Sequence, residues 1–107
     1  MSSFTLADLA AIIASRATAA DTTTSYTARL LAEGVEKCAR KFGEEAVEAT
    51  IAAISQNDEA LTGEAGDVLY HLLVLLQARG ISLDAVMAEL EKRTRQSGLD
   101  EKAGRKR

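Results

Sequence analysis

The stretch GEAGDVLYHLLVLL, Gly63–Leu76, decides how this chain can fold. From Val68 to Leu76 its residues are apolar apart from Tyr70 and His71, so a helix here is apolar nearly all round and must be enclosed by other elements. At about 100° per residue, Glu64, Asp67 and His71 fall within about 60° of one another on one face. Carboxylates in such surroundings need a partner, and no basic residue of the same helix reaches them, because Arg79 lies well beyond. The stretch is also far too short to cross a bilayer, and His71 interrupts it.

Working outward, Asn57 reads as the cap of this helix, with Asp58 and Glu59 well placed in its first turn. Gly80 is its stop signal, just past Arg79. Upstream, a longer helix is expected over about Val35–Ser55 and contains KFGEEAVEATIAA, Lys41–Ala53. Lys37, Lys41, Glu44 and Glu48 form one stripe on it, with Glu45 at the edge. Val35, Cys38, Phe42, Ala46, Ala49 and Ala53 make the apolar side. Thr5 and Asp8 signal a first helix, about Leu6–Ala19. DTTTS, Asp21–Ser25, reads as a loop ending in an N-cap. A short helix over Tyr26–Glu33 should break or bend at Gly34, and Ser82 caps a last one over about Leu83–Gln96. No segment alternates with period two, so the fold class is all-α, a bundle of about four to five helices. The expected organisation is a single domain over residues 1–96 and a polar, disordered tail over 97–107.

Composition agrees with this reading. The chain has 107 residues, 47% of them hydrophobic, 27% charged and none proline, which suits one small helical domain. Only 4% are aromatic, so the core is aliphatic and small, and completion by homodimerisation is the natural remedy. A net charge of -3 with no basic face argues against nucleic acid as the main partner. A single cysteine, Cys38, fits a reducing compartment, and the N-terminus shows no signal-peptide pattern. A cytoplasmic protein without a membrane segment is expected.

The acidic residues carry the chemistry. Glu44 and Glu48 are like charges at i,i+4, a mildly unfavourable arrangement, and no cation follows them on the C-terminal side. Two antiparallel helices joined by a short turn, each with a carboxylate pair at i,i+3, can turn those pairs towards each other. Four carboxylates around one point suit a hard divalent cation, Mg2+ or Mn2+, better than zinc, for which one His and one Cys offer no ligand spacing. Such an ion takes up phosphate oxygens, and Lys37, Arg40 and Lys41 lie about a turn away to contact them. Lys37 also has Glu33 at i−4 as an alternative surface partner. His71 is expected to donate to Asp67 one turn back or to touch substrate. Tyr70 points to another side, as a core or dimer-interface residue.

Glu44-Glu45-x-x-Glu48 followed by Glu64-x-x-Asp67 resembles the signature of the MazG-like all-α nucleotide pyrophosphohydrolases. Within them, SYTARLLAEGVEKCARKFGEEAVEATIAA and GEAGDVLYHLLVLLQARGISLDAVMAEL resemble the phosphoribosyl-ATP pyrophosphohydrolase family of histidine biosynthesis, over roughly Phe4–Arg93. The resemblance implies hydrolysis of phosphoribosyl-ATP to phosphoribosyl-AMP and pyrophosphate with magnesium. It implies Glu45, Glu48, Glu64 and Asp67 as metal ligands, with Glu44 and Glu45 the catalytic residues: Glu44 lies beside the ligands, either supporting them or orienting the attacking water. It also implies Lys37 and Lys41 on phosphate oxygens, and Ser25, Tyr26 and Thr27 as further phosphate or ribose contacts. Two other readings fit the same residues: a house-cleaning nucleoside triphosphate pyrophosphohydrolase, and a non-catalytic helical dimerisation module. Gly66 stands where alanine is more usual in the family, a cost of roughly 1 kcal/mol in helix propensity.

Overall fold

A computed structural model describes residues 3–18 and 25–95. Within them lie five helices and no strand: α1 Leu6–Ala17, α2 Tyr26–Glu33, α3 Val35–Ser55, α4 Asp58–Ala78 and α5 Leu83–Thr94. The all-α expectation holds for these residues. The expected helix ends at Ala19 and Gln96, most of the DTTTS loop and the 97–107 tail lie outside the described residues.

Local chemistry sets each start. The Thr5 hydroxyl accepts from the Asp8 N–H and the Asp8 carboxylate accepts from the Thr5 N–H, both at 3.0 Å, closing a capping box on α1. Ser25, Asn57 and Ser82 cap α2, α4 and α5 by accepting from the N–H of Ala28, Ala60 and Ala85. α3 has no side-chain cap, because it begins directly where α2 ends. Gly34 makes that break at φ 101° and ψ 174°, a conformation essentially confined to glycine. α4 stops at Gly80, φ 71°, with the Ile81 N–H donating back to the Leu76 carbonyl at 2.9 Å.

α3 and α4, joined through Gln56 and Asn57, share the most extensive contact in the molecule, and α1 and α2 pack across them. Ile13, Leu30, Cys38, Leu73 and Val74 form the buried core, one or two residues from each of the first four helices. The fifth contributes only Leu83 at the margin of that core and has no buried residue.

Two packing expectations need correcting. On α3 the buried line is Cys38, Glu45 and Ala52, spaced by seven, whereas Val35 and Ala53 are exposed. α4 lies along this heptad-like seam, so the contact face is rotated from the apolar stripe towards the acidic one. On α4 only His71, Leu73 and Val74 are buried, and Leu69 is 42% exposed. A single chain has too few helices to surround α4, which leaves part of its apolar circumference uncovered.

Glycine substitutions test the backbone account with opposite signs. A Cβ at Gly34 or at Gly66 meets no atom within 4 Å, so neither position is guarded by packing. Gly34→Ala should lose about 1–3 kcal/mol in urea denaturation through its positive φ. Gly66→Ala, inside α4, should gain about 0.5–1 kcal/mol.

Candidate active site

The α3–α4 hairpin brings carboxylates from both helices to one point. One oxygen from each of Glu45, Glu48 and Glu64 lies within 4.8 Å of the other two. Glu45 is buried, Glu64 is partly buried and Glu48 is exposed, so the trio opens from the helix interface towards solvent. Asp67 falls outside this trio and is exposed, although its charge still reaches Glu64.

The electrostatics leave this cluster short of positive charge. Glu64 Oε1 is buried and has no hydrogen-bond partner among the described residues. Loss of solvent, then the charges of Glu48, Asp67 and Glu45, raise the Glu64 carboxyl above its ordinary range. A hard cation fits the vacancy in the charge balance. Glu45, Glu48 and Glu64 would hold such an ion, with water completing its oxygen shell. The donor set is entirely oxygen, which suits magnesium or manganese.

The basic residues divide. Lys41 Nζ donates to Glu44 Oε1 at 3.2 Å and lies 3.9 Å from Glu45 Oε2. The Glu44 hydrogen bond raises the Lys41 ammonium above its usual pKa. Glu44, next to the trio in sequence, is thus neutralised by a lysine one turn before it. No ion pair among the described residues involves Lys37 or Arg40. The i−4 pairing of Lys37 with Glu33 does not form, because Gly34 interrupts the helix between them.

A polar-aromatic cluster ties α2 to α4 beside this site. His71 Nδ1 donates to the Asp67 backbone carbonyl at 2.8 Å, not to its carboxylate. That bond leaves Nε2 of the neutral ring as acceptor, and the Tyr26 hydroxyl meets it at 3.3 Å. Thr27 hydrogen-bonds the Tyr70 hydroxyl, and Ser25 is occupied in capping α2. The three residues expected at the helix N-terminus therefore have internal partners. Tyr70 packs against the core, as expected, but not on a side away from His71: both residues face α2. α2 crosses α4 over the edge between these two positions, so residues about 100° apart both touch it.

A helical hairpin that concentrates carboxylates from both helices at a half-buried point is a candidate site for a divalent ion. Comparison with known proteins is specific. The profile of the family described as "Phosphoribosyl-ATP pyrophosphohydrolase" matches residues 6–94. The phosphoribosyl-ATP pyrophosphatase of Methylobacterium radiotolerans is 63% identical over 106 residues, covering 99% of this chain and 98% of that protein. Those of Methylobacterium nodulans and Agrobacterium fabrum are 61% identical over 107 residues and 57% identical over 105. They cover 100% and 98% of this chain and 99% and 97% of their own lengths. The chain belongs to the phosphoribosyl-ATP pyrophosphohydrolase family.

The raised Glu64 carboxyl makes a signed prediction. A group whose folded pKa exceeds its unfolded one destabilises the fold when ionised, increasingly as pH rises above the ordinary value of 4.5. In chelator, Glu64→Gln should melt higher than wild type near neutral pH. The difference should vanish as pH falls through the carboxylate range, as thermal melts in matched buffers will read.

Proposed function

We propose that this protein hydrolyses phosphoribosyl-ATP to phosphoribosyl-AMP and pyrophosphate in histidine biosynthesis, in the cytoplasm, as a magnesium-dependent homodimer. The single observation that carries the reading is the convergence of Glu45, Glu48 and Glu64 on one point in a chain of this family. Residues 1–96 are proposed as one catalytic domain, with 97–107 as its tail.

Glu45, Glu48 and Glu64 would hold the ion, with Asp67 closing on it from the next turn of α4. When bound, Mg2+, or Mn2+ in its place, offsets the negative charge of the triphosphate and of the leaving pyrophosphate. Lys37, Arg40 and Lys41 take phosphate oxygens along α3 and orient the chain of phosphates across the hairpin. Lys41 has a second part in the reaction. Its ammonium holds the Glu44 carboxylate at 3.2 Å in the free protein. As it turns to a phosphate, Glu44 becomes available to align a water and accept its proton. The water oxygen bonds to phosphorus, the α–β anhydride bond breaks and the electron pair leaves with the displaced phosphate oxygen. Glu45, buried beside Lys41, supports this geometry as well as the ion. Ser25, Tyr26, Thr27 and His71 support the site from α2 and α4, Tyr26 through its hydroxyl on His71.

The homodimer rests on uncovered apolar surface. Val47, Ile51 and Ile54 lie on one side of α3 at 59%, 48% and 82% exposure, and Leu69 of α4 is also exposed. Such a stripe at i,i+4,i+7 beside an incompletely enclosed core helix is what a second helical surface covers. Ile51→Glu combined with Ile54→Glu should shift the protein to a monomer in sedimentation equilibrium, whereas wild type sediments as a dimer.

Hydrolysis in oxygen-18 water tests the reaction. Wild type with magnesium should release pyrophosphate from phosphoribosyl-ATP and place one label in phosphoribosyl-AMP or pyrophosphate, according to which phosphorus is attacked. Chelator should abolish turnover. Glu48→Gln and Asp67→Asn should each lower kcat/KM by about 100-fold or more while the apo protein stays folded. Turnover of nucleoside triphosphates without phosphoribosyl-ATP hydrolysis would replace the proposed substrate, and turnover unaffected by either variant would remove the proposed site.

A further inference from the structure

Tyr70 has more contacts than a residue of the core margin needs. Its hydroxyl is hydrogen-bonded to Thr27, its ring stacks on Tyr26 with centroids 6.3 Å apart at 21°, and its edge meets His71 at 4.9 Å and 88°. Tyr26 in turn presents its hydroxyl to His71 Nε2 at 3.3 Å, and their rings meet edge-on at 6.1 Å. Tyr26 is 44% exposed, so little else holds its ring in place. α2 itself has only eight residues and is bounded at its end by the Gly34 break. A helix that short does not hold its own register in water, and its position depends on contacts with α3 and α4.

We propose that Tyr70 is a positioning residue for the hydrolysis, acting through Tyr26: by its bond to Thr27 and its ring against Tyr26, it fixes the Tyr26 hydroxyl on His71, whose other ring nitrogen holds the backbone carbonyl of Asp67. This rests on the proposed reaction and adds a residue outside the metal and phosphate machinery. Two contacts from one side chain to adjacent residues of α2 fix both the register and the roll of that helix. A tyrosine ring loses little conformational freedom in making them. His71 Nδ1 in turn donates to the Asp67 backbone carbonyl at 2.8 Å, so the ring links α2 to the turn of α4 that carries Glu64 and Asp67. Burial raises the Tyr70 hydroxyl above its ordinary pKa. A displacement of about 1 Å passed on to groups that position a substrate is enough to lower a rate many-fold.

The test is a set of variants assayed with magnesium and phosphoribosyl-ATP, at a temperature where melting curves show each fully folded. Tyr70→Phe and Thr27→Val should each lower kcat/KM by about tenfold, and the double variant should be no worse than either, since both remove one shared bond. In a Tyr26→Ala background, Tyr70→Phe should cost nothing further, because there is no hydroxyl left to place. Tyr70→Phe with wild-type kcat/KM overturns the proposal. So does an equal loss in the Tyr26→Ala background, which would mean Tyr70 acts by another route. Both results would leave the reaction standing if wild type turns over. Absence of wild-type turnover would overturn the reaction and the positioning role together.

Discussion

Three carboxylate oxygens held within 4.8 Å of one another, between two helices that also form the main packing contact, constrain everything else in this protein. Like charges at this spacing push α3 and α4 apart unless a cation joins them. The hairpin is closed against that repulsion from both sides of the cluster. Cys38, Leu73 and Val74 belong to the core on one side, and Ala52, fully buried, lets the helices approach closely on the other. Small residues along a seam bring backbones near, and near backbones let short carboxylate side chains meet. The same seam that stabilises the fold therefore produces the site's unpaired charge.

That arrangement explains why the acidic residues are not equivalent. Glu44 has a lysine and large exposure, so its charge is neutralised locally and it is left available for exchange with an incoming anion. Glu64 has an oxygen buried without a partner among the described residues, and burial and its acidic neighbours favour its protonated form. Glu45 lies between these two conditions, buried in the seam with Lys41 at the limit of ion-pair distance. The three therefore run from a solvated acid, Glu44, to a partly desolvated one, Glu64, across the α3–α4 contact.

Much of this was legible in the sequence, and what was not has identifiable causes. Helix boundaries followed from Thr5, Ser25, Gly34, Asn57, Gly80 and Ser82, because capping chemistry is local and depends on no distant partner. The meeting of Glu45 and Glu48 with Glu64 followed from two i,i+3 pairs on helices joined by a short turn. The burial of Glu45 did not follow. It stands at the edge of its stripe, and the crossing of α4, not helical periodicity, decides which edge is covered. The contact of Tyr70 with α2 was missed for a related reason. The order of residues along α4 says nothing of where α2 will cross it, and that crossing is set by the length of α2 and its stop at Gly34. The incomplete enclosure of α4 is also invisible in one sequence, because an apolar residue is equally suited to its own core and to a second copy's surface.

Gly34 shows how one backbone position links these features. An unbroken helix from Tyr26 to Ser55 would carry Ser25, Tyr26 and Thr27 along the axis of α3, away from α4. It would also place Glu33 one turn before Lys37, where the two would pair. The break at φ 101° turns α2 back, so that Thr27 reaches Tyr70 and the Tyr26 hydroxyl reaches His71. The same break removes Glu33 from Lys37 and leaves that lysine without an ion-pair partner among the described residues, on the stripe that leads to the carboxylate trio. The aromatic contacts between α2 and α4 and the unpaired state of Lys37 among the described residues thus depend on one residue without a Cβ, whose cost in chain flexibility is offset by contacts on two other helices.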